Sequence, residues 1–263
     1  MKLLSKSRSS WWDKVAALYD HTYDKVSSQL GLIYQSTQKK IIYDMLTVYN
    51  EIMKPGATPT VNNLYQYNRY YKMVNDINIK LRELGLQEIK ITQQSLIDLY
   101  KANTELIGEQ LAFTPVFTDE QIVRSVNSIW CQDGKLWSDR VWEDKNLLQS
   151  KMTEAMVDGV ARGKSPDWLT KQLMEATGGS YNNTQRLLIT ELAHIQNQAS
   201  LDSYKQGGVN AYKVLHEPDA CEICTELGQN SFDVNKAPVI PAHPRCRCCT
   251  LAIIDGEVVN VQD

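Results

Sequence analysis

Five residues able to ligate a metal crowd into the last fifth of the chain: Cys221, Cys224, His243, Cys246 and Cys248, with Cys249 adjoining. Cys221-Glu-Ile-Cys224 sits on one tight turn, so both thiolates can point at one ion. Eighteen residues later, His243-Pro-Arg-Cys246 offers a second pair from a second turn. Together the two pairs complete a tetrahedral shell, and the mix of thiolate and imidazole suits zinc. Five of the six cysteines fall within a 29-residue window, as expected of residues that build one site. Cys248 adds a fifth donor, because in an extended Cys-x-Cys its side chain falls on the same side as that of Cys246. It can replace Cys246 or His243, so the expectation is one zinc held by four of the five, with Cys221, Cys224, His243 and Cys246 favoured.

Four protein ligands leave no open coordination position, which predicts a structural ion. Such an ion contributes folding free energy on the order of 10 kcal/mol to a small module. About fifty residues with few large apolar side chains need that support. A catalytic zinc would require an open position and a nearby base. His216 and Glu222 are the available residues, but no catalytic set is assembled and the chain is not expected to be an enzyme. No GxxxxGK[ST] loop and no GxSxG elbow occur.

Other constellations read as structure. Glu191 and His194 lie three apart on one helix face. A single ExxH without a second copy predicts a hydrogen-bonded polar pair and not a di-iron site. His21 and Asp24 read the same way. Asn182-Asn-Thr184 matches a glycosylation sequon, which carries no weight without an export signal. Tyr65, Tyr67, Tyr70 and Tyr71 are not interleaved with a basic groove, so helix surface explains them better than base stacking. Trp11 and Trp12 suit either core packing or an anchor on a partner.

The positioning elements are mostly helical. Apolar residues from Trp11 to Met53 recur at three and four, a stripe that Pro55-Gly56 and Thr58-Pro59-Thr60 end. A second run, from Leu64 to Leu81, is predicted to close at Gly85, and a third spans Lys90 to Leu111. Thr118-Asp-Glu-Gln121 is a capping box, and Gly134 marks a turn. Trp142–Val160 reads as helix. Ser165 and Pro166 then start another, predicted to stop at Gly178-Gly179, with a further helix from Thr184 to Gln206. Gly207-Gly208 ends that one. Ala211–His216 and Cys249–Ile254 read as strands on either side of the donors.

The fold class expected is therefore mainly α with a small C-terminal α+β, zinc-clipped module. Residues 1–10 read as a basic arm, 11–135 as a helical region, and 136–263 as a second domain whose metal module covers about 210–254. A net charge of −3 argues against a dedicated polyanion binder. No stretch reaches the roughly 18–20 apolar residues of a membrane span. The N-terminus lacks the apolar core of a secretory signal. Its clustered thiols are then expected to face a reducing cytosol, where they hold metal more often than they pair.

Ile189-Thr-Glu-Leu-Ala-His194, Tyr204-Lys-Gln-Gly-Gly-Val209, Tyr212-Lys-Val-Leu215, Asp219-x-Cys-x-x-Cys224 and Pro241-Ala-His-Pro-Arg-Cys-Arg-Cys248 together resemble the C-terminal domain of phage minor head proteins, the Mu F-like, head-morphogenesis family of tailed phages. The likeness covers about residues 140–254. One departure is Ile189, where that family usually has arginine; Arg186 lies one turn earlier. The resemblance implies a minor head component of a tailed phage or prophage, acting in head assembly and genome delivery. It implies the portal protein as partner, with the major capsid or scaffolding protein beside it. It also implies residence inside the capsid near the portal vertex, after assembly in the host cytoplasm. Arg245 and Arg247, inside the donor cluster, could meet an acidic partner or DNA phosphate. Two rival readings remain: a toxin-type or metal-dependent enzyme carrying a head-morphogenesis domain, and a cytosolic zinc-binding adaptor.

Overall fold

The computed structural model describes residues 10–54, 60–65, 68–217, 219–236 and 238–259, the side chains of residues 10–12 and 63 excepted. The readings that rest on the basic arm, Pro55-Gly56, Pro59, Tyr67 and the side chains of Trp11 and Trp12 lie outside these. The elements in order are α1 (Ser10–Ile52), α2 (Val61–Tyr65), α3 (Arg69–Leu111), α4 (Asp119–Val126), α5 (Trp137–Ala161) and α6 (Pro166–Gln206). After them come β1 (Ala211–Leu215), α7 (Glu222–Gln229), β2 (Ser231–Asp233), a 3-10 turn at Val234–Lys236, β3 (Cys249–Ile254) and β4 (Glu257–Val258). The protein is mainly α with a small C-terminal antiparallel sheet, as the patterning predicts.

Two glycine positions overturn the predicted helix boundaries. α3 passes straight through Gly85. A Cβ there would come 2.6 Å from Cζ3 of Trp142, so the residue is glycine because an indole lies against the backbone, not because the helix stops. α6 likewise runs through Gly178-Gly179, which joins the two helices predicted on either side into one of 41 residues. Apolar residues on both sides carry it across: Leu169 and Leu173 before, Leu188, Leu192 and Ile195 after, all buried. α5 also starts at Trp137, five residues before the predicted Trp142, and the run predicted from Leu64 divides between α2 and α3. Several boundaries do fall where the sequence puts them. Ser165 Oγ accepts from Trp168 N at 3.2 Å, Thr118 and Gln121 form the capping box of α4, and Gly208 at φ 74° follows the end of α6.

The described chain forms two compact units. One gathers the residues up to Val26, Thr92–Leu136 and Arg186 onward; the other takes Ser27–Ile91 and Trp137–Gln185. α1, α3 and α6 each contribute residues to both.

The second unit packs Tyr34, Ile41, Met45, Tyr49 and Ile52 of α1 with Met73, Ile77, Leu81 and Leu84 of α3, Met152 and Met156 of α5, and Leu169 and Leu173 of α6. Within it lies an ionic network. Lys145 Nζ, whose side chain is 3% exposed, lies 2.8 Å from Glu88 and 3.1 Å from Asp144. Tyr34 OH donates to Glu88 and pairs with Ser180 and Thr184, while Asn183 ties down Asp144 at 2.7 Å. Burial opposes the ammonium charge most strongly, but Glu88, Tyr34 and Asp144 together outweigh it and hold Lys145 protonated above the usual range.

The first unit holds the sheet, in the order β2-β1-β3-β4, with every neighbouring pair antiparallel. Tyr212 pairs with Ala252 and Val214 with Thr250, and Tyr212, Val214 and Ala252 join Val15, Ile107, Leu201 and Tyr204 in one core.

Two outcomes should separate the glycines. Gly178→Ala and Gly179→Ala meet no atom within 4 Å, so each should raise stability in urea unfolding by about 1 kcal/mol. Gly85→Ala should lower it, since the ring or the helix must move. Lys145→Met should cost about 3–5 kcal/mol by leaving Glu88 buried without its counter-ion; a neutral result would show that water reaches the network.

Candidate metal centre

Cys221 is the N-cap of α7, and Cys224 lies in the first turn of that helix. This places both thiols at the end where backbone N–H groups are unpaired and the helix dipole favours negative charge. The Cys224 backbone amide, with the other groups around it, holds the Cys221 thiol below its ordinary range, although the Cys221 side chain makes no regular cap hydrogen bond. Sequence reading missed α7 itself, because only eight residues with a CxxC at the start give little periodic signal.

The second pair comes from a turn. Cys246 N donates to His243 O at 3.2 Å, with Pro244 at the second position and Arg245 at φ 64° in the third. That is the pattern of a type II turn, with arginine where glycine is usual. The turn is pinned to α6, since Arg245 N donates to Thr190 Oγ1 at 3.1 Å. His243 Nδ1 donates to the Pro244 carbonyl at 2.9 Å, which fixes the tautomer and leaves the Nε2 lone pair facing the thiols. Nε2 lies 3.1 Å from Cys221 Sγ and 3.2 Å from Cys224 Sγ. Cys224 Sγ in turn lies 3.5 Å from Cys246 Sγ.

The donors thus form two triads that share Cys224. One is Cys221, Cys224 and His243; the other is Cys224, Cys246 and Cys248, with the ligand atoms of each within 4.8 Å of one another. All five residues singled out by spacing come together, and this cluster can hold a metal ion. The hydrogen bond from Cys248 holds the Cys246 thiol down at about 5 and pushes Cys248 up. The first thiolate of that pair is therefore stabilised by the thiol beside it. Cys249 heads β3, away from both triads, and burial raises its thiol.

The cluster opens onto a cleft of about 860 Å³ whose charged lining is Asp13, Asp20, Glu217, Asp219, Arg245 and Arg247. Arg247 is committed within it, ion-paired with Asp20 and stacked over the Tyr19 ring at 4.9 Å. Its guanidinium is therefore already engaged by salt bridging within the fold, while Arg245 is exposed. His216 does not line the cleft. Its Nδ1 bonds the Glu217 carbonyl and its ring lies where a Cβ on Gly228 would sit.

Glu191 and His194, expected as a hydrogen-bonded pair, are joined instead through a third residue. Glu191 Oε2 accepts from Trp130 Nε1 at 3.1 Å, and the same indole stacks on the His194 ring at 4.3 Å. His194 Nδ1 donates to the Ile240 carbonyl at 3.3 Å. Sequence reading could not find Trp130, which sits 61 residues from Glu191. His21 and Asp24 are exposed on α1. Tyr65, Tyr70 and Tyr71 pack on one another, with centroids 4.8 and 5.7 Å apart.

Burial lowers His194 to about 4, against about 6.5 in an unfolded chain. Between those values the unfolded chain binds a proton that the folded one rejects, so this stability is complete above the higher value and is lost as pH falls toward the lower. Urea unfolding followed by tryptophan fluorescence should show a weakening from pH 7 to pH 4.5 that His194→Gln largely removes. An unchanged pH slope in the variant would assign the effect elsewhere.

Comparison with known proteins follows the same stretch. The chain is 22% identical to a protein named NAD(+)--arginine ADP-ribosyltransferase EFV from Enterococcus faecalis, over 94% of this chain and 55% of that relative. It thus spans little more than half the relative's length. No solved structure matches it. Residues 150–251, which include all five candidate ligands, match the family described as Phage Mu protein F like protein.

Proposed function

We propose that this protein is a minor head component of a tailed phage or prophage, sited inside the capsid near the portal, and that its work is structural. The match of residues 150–251 to Phage Mu protein F like proteins carries the reading. The helical units would dock on the portal or on neighbouring capsid or scaffolding protein. The C-terminal module would be held in shape by one zinc ion drawn from Cys221, Cys224, His243, Cys246 and Cys248. The donor chemistry supports zinc: soft sulfur and an oriented imidazole converge from two turns, enough to fill a tetrahedral shell. No helix among the described residues is long and apolar enough to cross a membrane.

A second reading takes its support from the relative named as an arginine ADP-ribosyltransferase. That protein is nearly twice as long, and we propose that its named activity does not extend to this chain. An NAD(+) consumption assay with an arginine acceptor decides it: the purified chain should leave NAD(+) intact, and turnover would move it to the enzyme class.

Two further measurements test the main reading. Mass spectrometry of particles from the phage that encodes the chain should find it in mature heads at a few copies per particle; its absence from them would end the head assignment. Elemental analysis of protein purified without added metal should give about one zinc per chain, with the clustered thiols masked until unfolding or chelation. Freely reactive thiols and no metal would remove the zinc while leaving the family match in place.

A further inference from the structure

Four positions and five donors leave a surplus ligand, and the geometry shows where the surplus lies. Both triads contain Cys224, and Cys246 lies 3.5 Å from it. Cys224 is therefore needed wherever the ion sits, and Cys246, from the second triad, is already within reach of it. His243 is held by its own turn, with Nδ1 committed to Pro244 and Nε2 toward the sulfurs. The remaining two, Cys221 and Cys248, belong to different triads. Both border the cleft, but they differ in exposure: Cys221 is exposed at the start of α7, whereas Cys248 is 5% exposed with its carbonyl bonded to Asn197 of α6.

Charge decides between sharing the shell and exchanging within it. The cleft is lined by four carboxylates, from Asp13, Asp20, Glu217 and Asp219, against the two guanidiniums of Arg245 and Arg247. A shell of four thiolates would place one more negative charge beside them than a shell of three thiolates and one neutral imidazole. His243 is therefore retained, and only one of Cys221 and Cys248 is ligated at a time.

We propose that Cys248 is a reserve ligand that exchanges with Cys221. The ion has an outer shell of Cys221, Cys224, His243 and Cys246, and an inner shell in which Cys248 replaces Cys221. In the inner state the Cys221 thiol is released into the cleft, exposed and reactive, while the module keeps its metal. This rests on the zinc reading above and adds to it a site that tolerates loss of its outermost ligand.

The test uses the full chain and its Cys221→Ser, Cys248→Ser and double variants, loaded with cobalt(II), whose sulfur-to-metal charge-transfer absorption scales with the number of bound thiolates. Each single variant should bind one cobalt with the parent's absorption per metal. The double variant, left with two thiolates and one imidazole, should bind it more weakly and with less absorption per metal. Far-ultraviolet circular dichroism checks that the helices remain. Iodoacetamide treatment of the zinc-loaded parent, read by native mass spectrometry, should yield protein alkylated at Cys221 that still carries its ion. Failure of Cys221→Ser alone to bind, or loss of zinc in step with alkylation, overturns the exchange while leaving a fixed outer site intact. A parent that binds no metal overturns the zinc reading and the exchange with it.

Discussion

Cys224 Sγ is the atom on which the C-terminal module converges. Two triads of donors meet there, one brought by the start of α7 and the other by the turn from His243 to Cys248. Neither segment is long enough to hold its shape alone. α7 has eight residues, and the stretch from Pro238 to Cys248 has no regular structure beyond its turns. Their approach is imposed from outside, by the sheet on one side and by α6 on the other.

α6 does this with polar side chains in a buried setting. Thr190 meets the Arg245 amide, His194 the Ile240 carbonyl, Asn197 the Cys248 carbonyl and Tyr204 the Thr250 carbonyl. Buried loop backbone must be paired, and here the partner is a helix face where a hydrophobic stripe would be expected. Glu191, His194, Gln196, Asn197, Ser200 and Ser203 are all buried. A helix with so polar a buried surface gives a weak amphipathic signature, yet its every turn is spoken for.

The sequence carried the donors and the two longer strands, β1 and β3, well, because CxxC, HxxCxC and alternating patterns are local facts. It also carried the caps: Thr118, Ser165 and Gly208 act within a few residues of themselves. Apart from α7, β2 and β4, which are too short to give a periodic signal, the failures are of longer range. Gly85 reads as a stop until Trp142 is seen against it. Gly178-Gly179 reads as a stop because a local rule cannot weigh the apolar residues that carry α6 on either side. Trp130, which links Glu191 to His194, is invisible to any window. So is the Lys145–Glu88 pair, whose members lie on different helices and read as surface charges until their burial is known.

Contacts made through main-chain atoms discriminate between two kinds of genetic change. Where α6 grips carbonyls and amides at positions 240, 245, 248 and 250, the side chains at those positions are not what is being held. Exchanging one for another of similar bulk leaves the grip in place. Adding or removing a single residue between Ile240 and Thr250 is different in kind, because it puts several anchors out of phase at once and drags the histidine and cysteines with them. Outside the donors His243, Cys246 and Cys248, relatives of this chain are therefore free to diverge in what this loop is made of, far more than in how long it is.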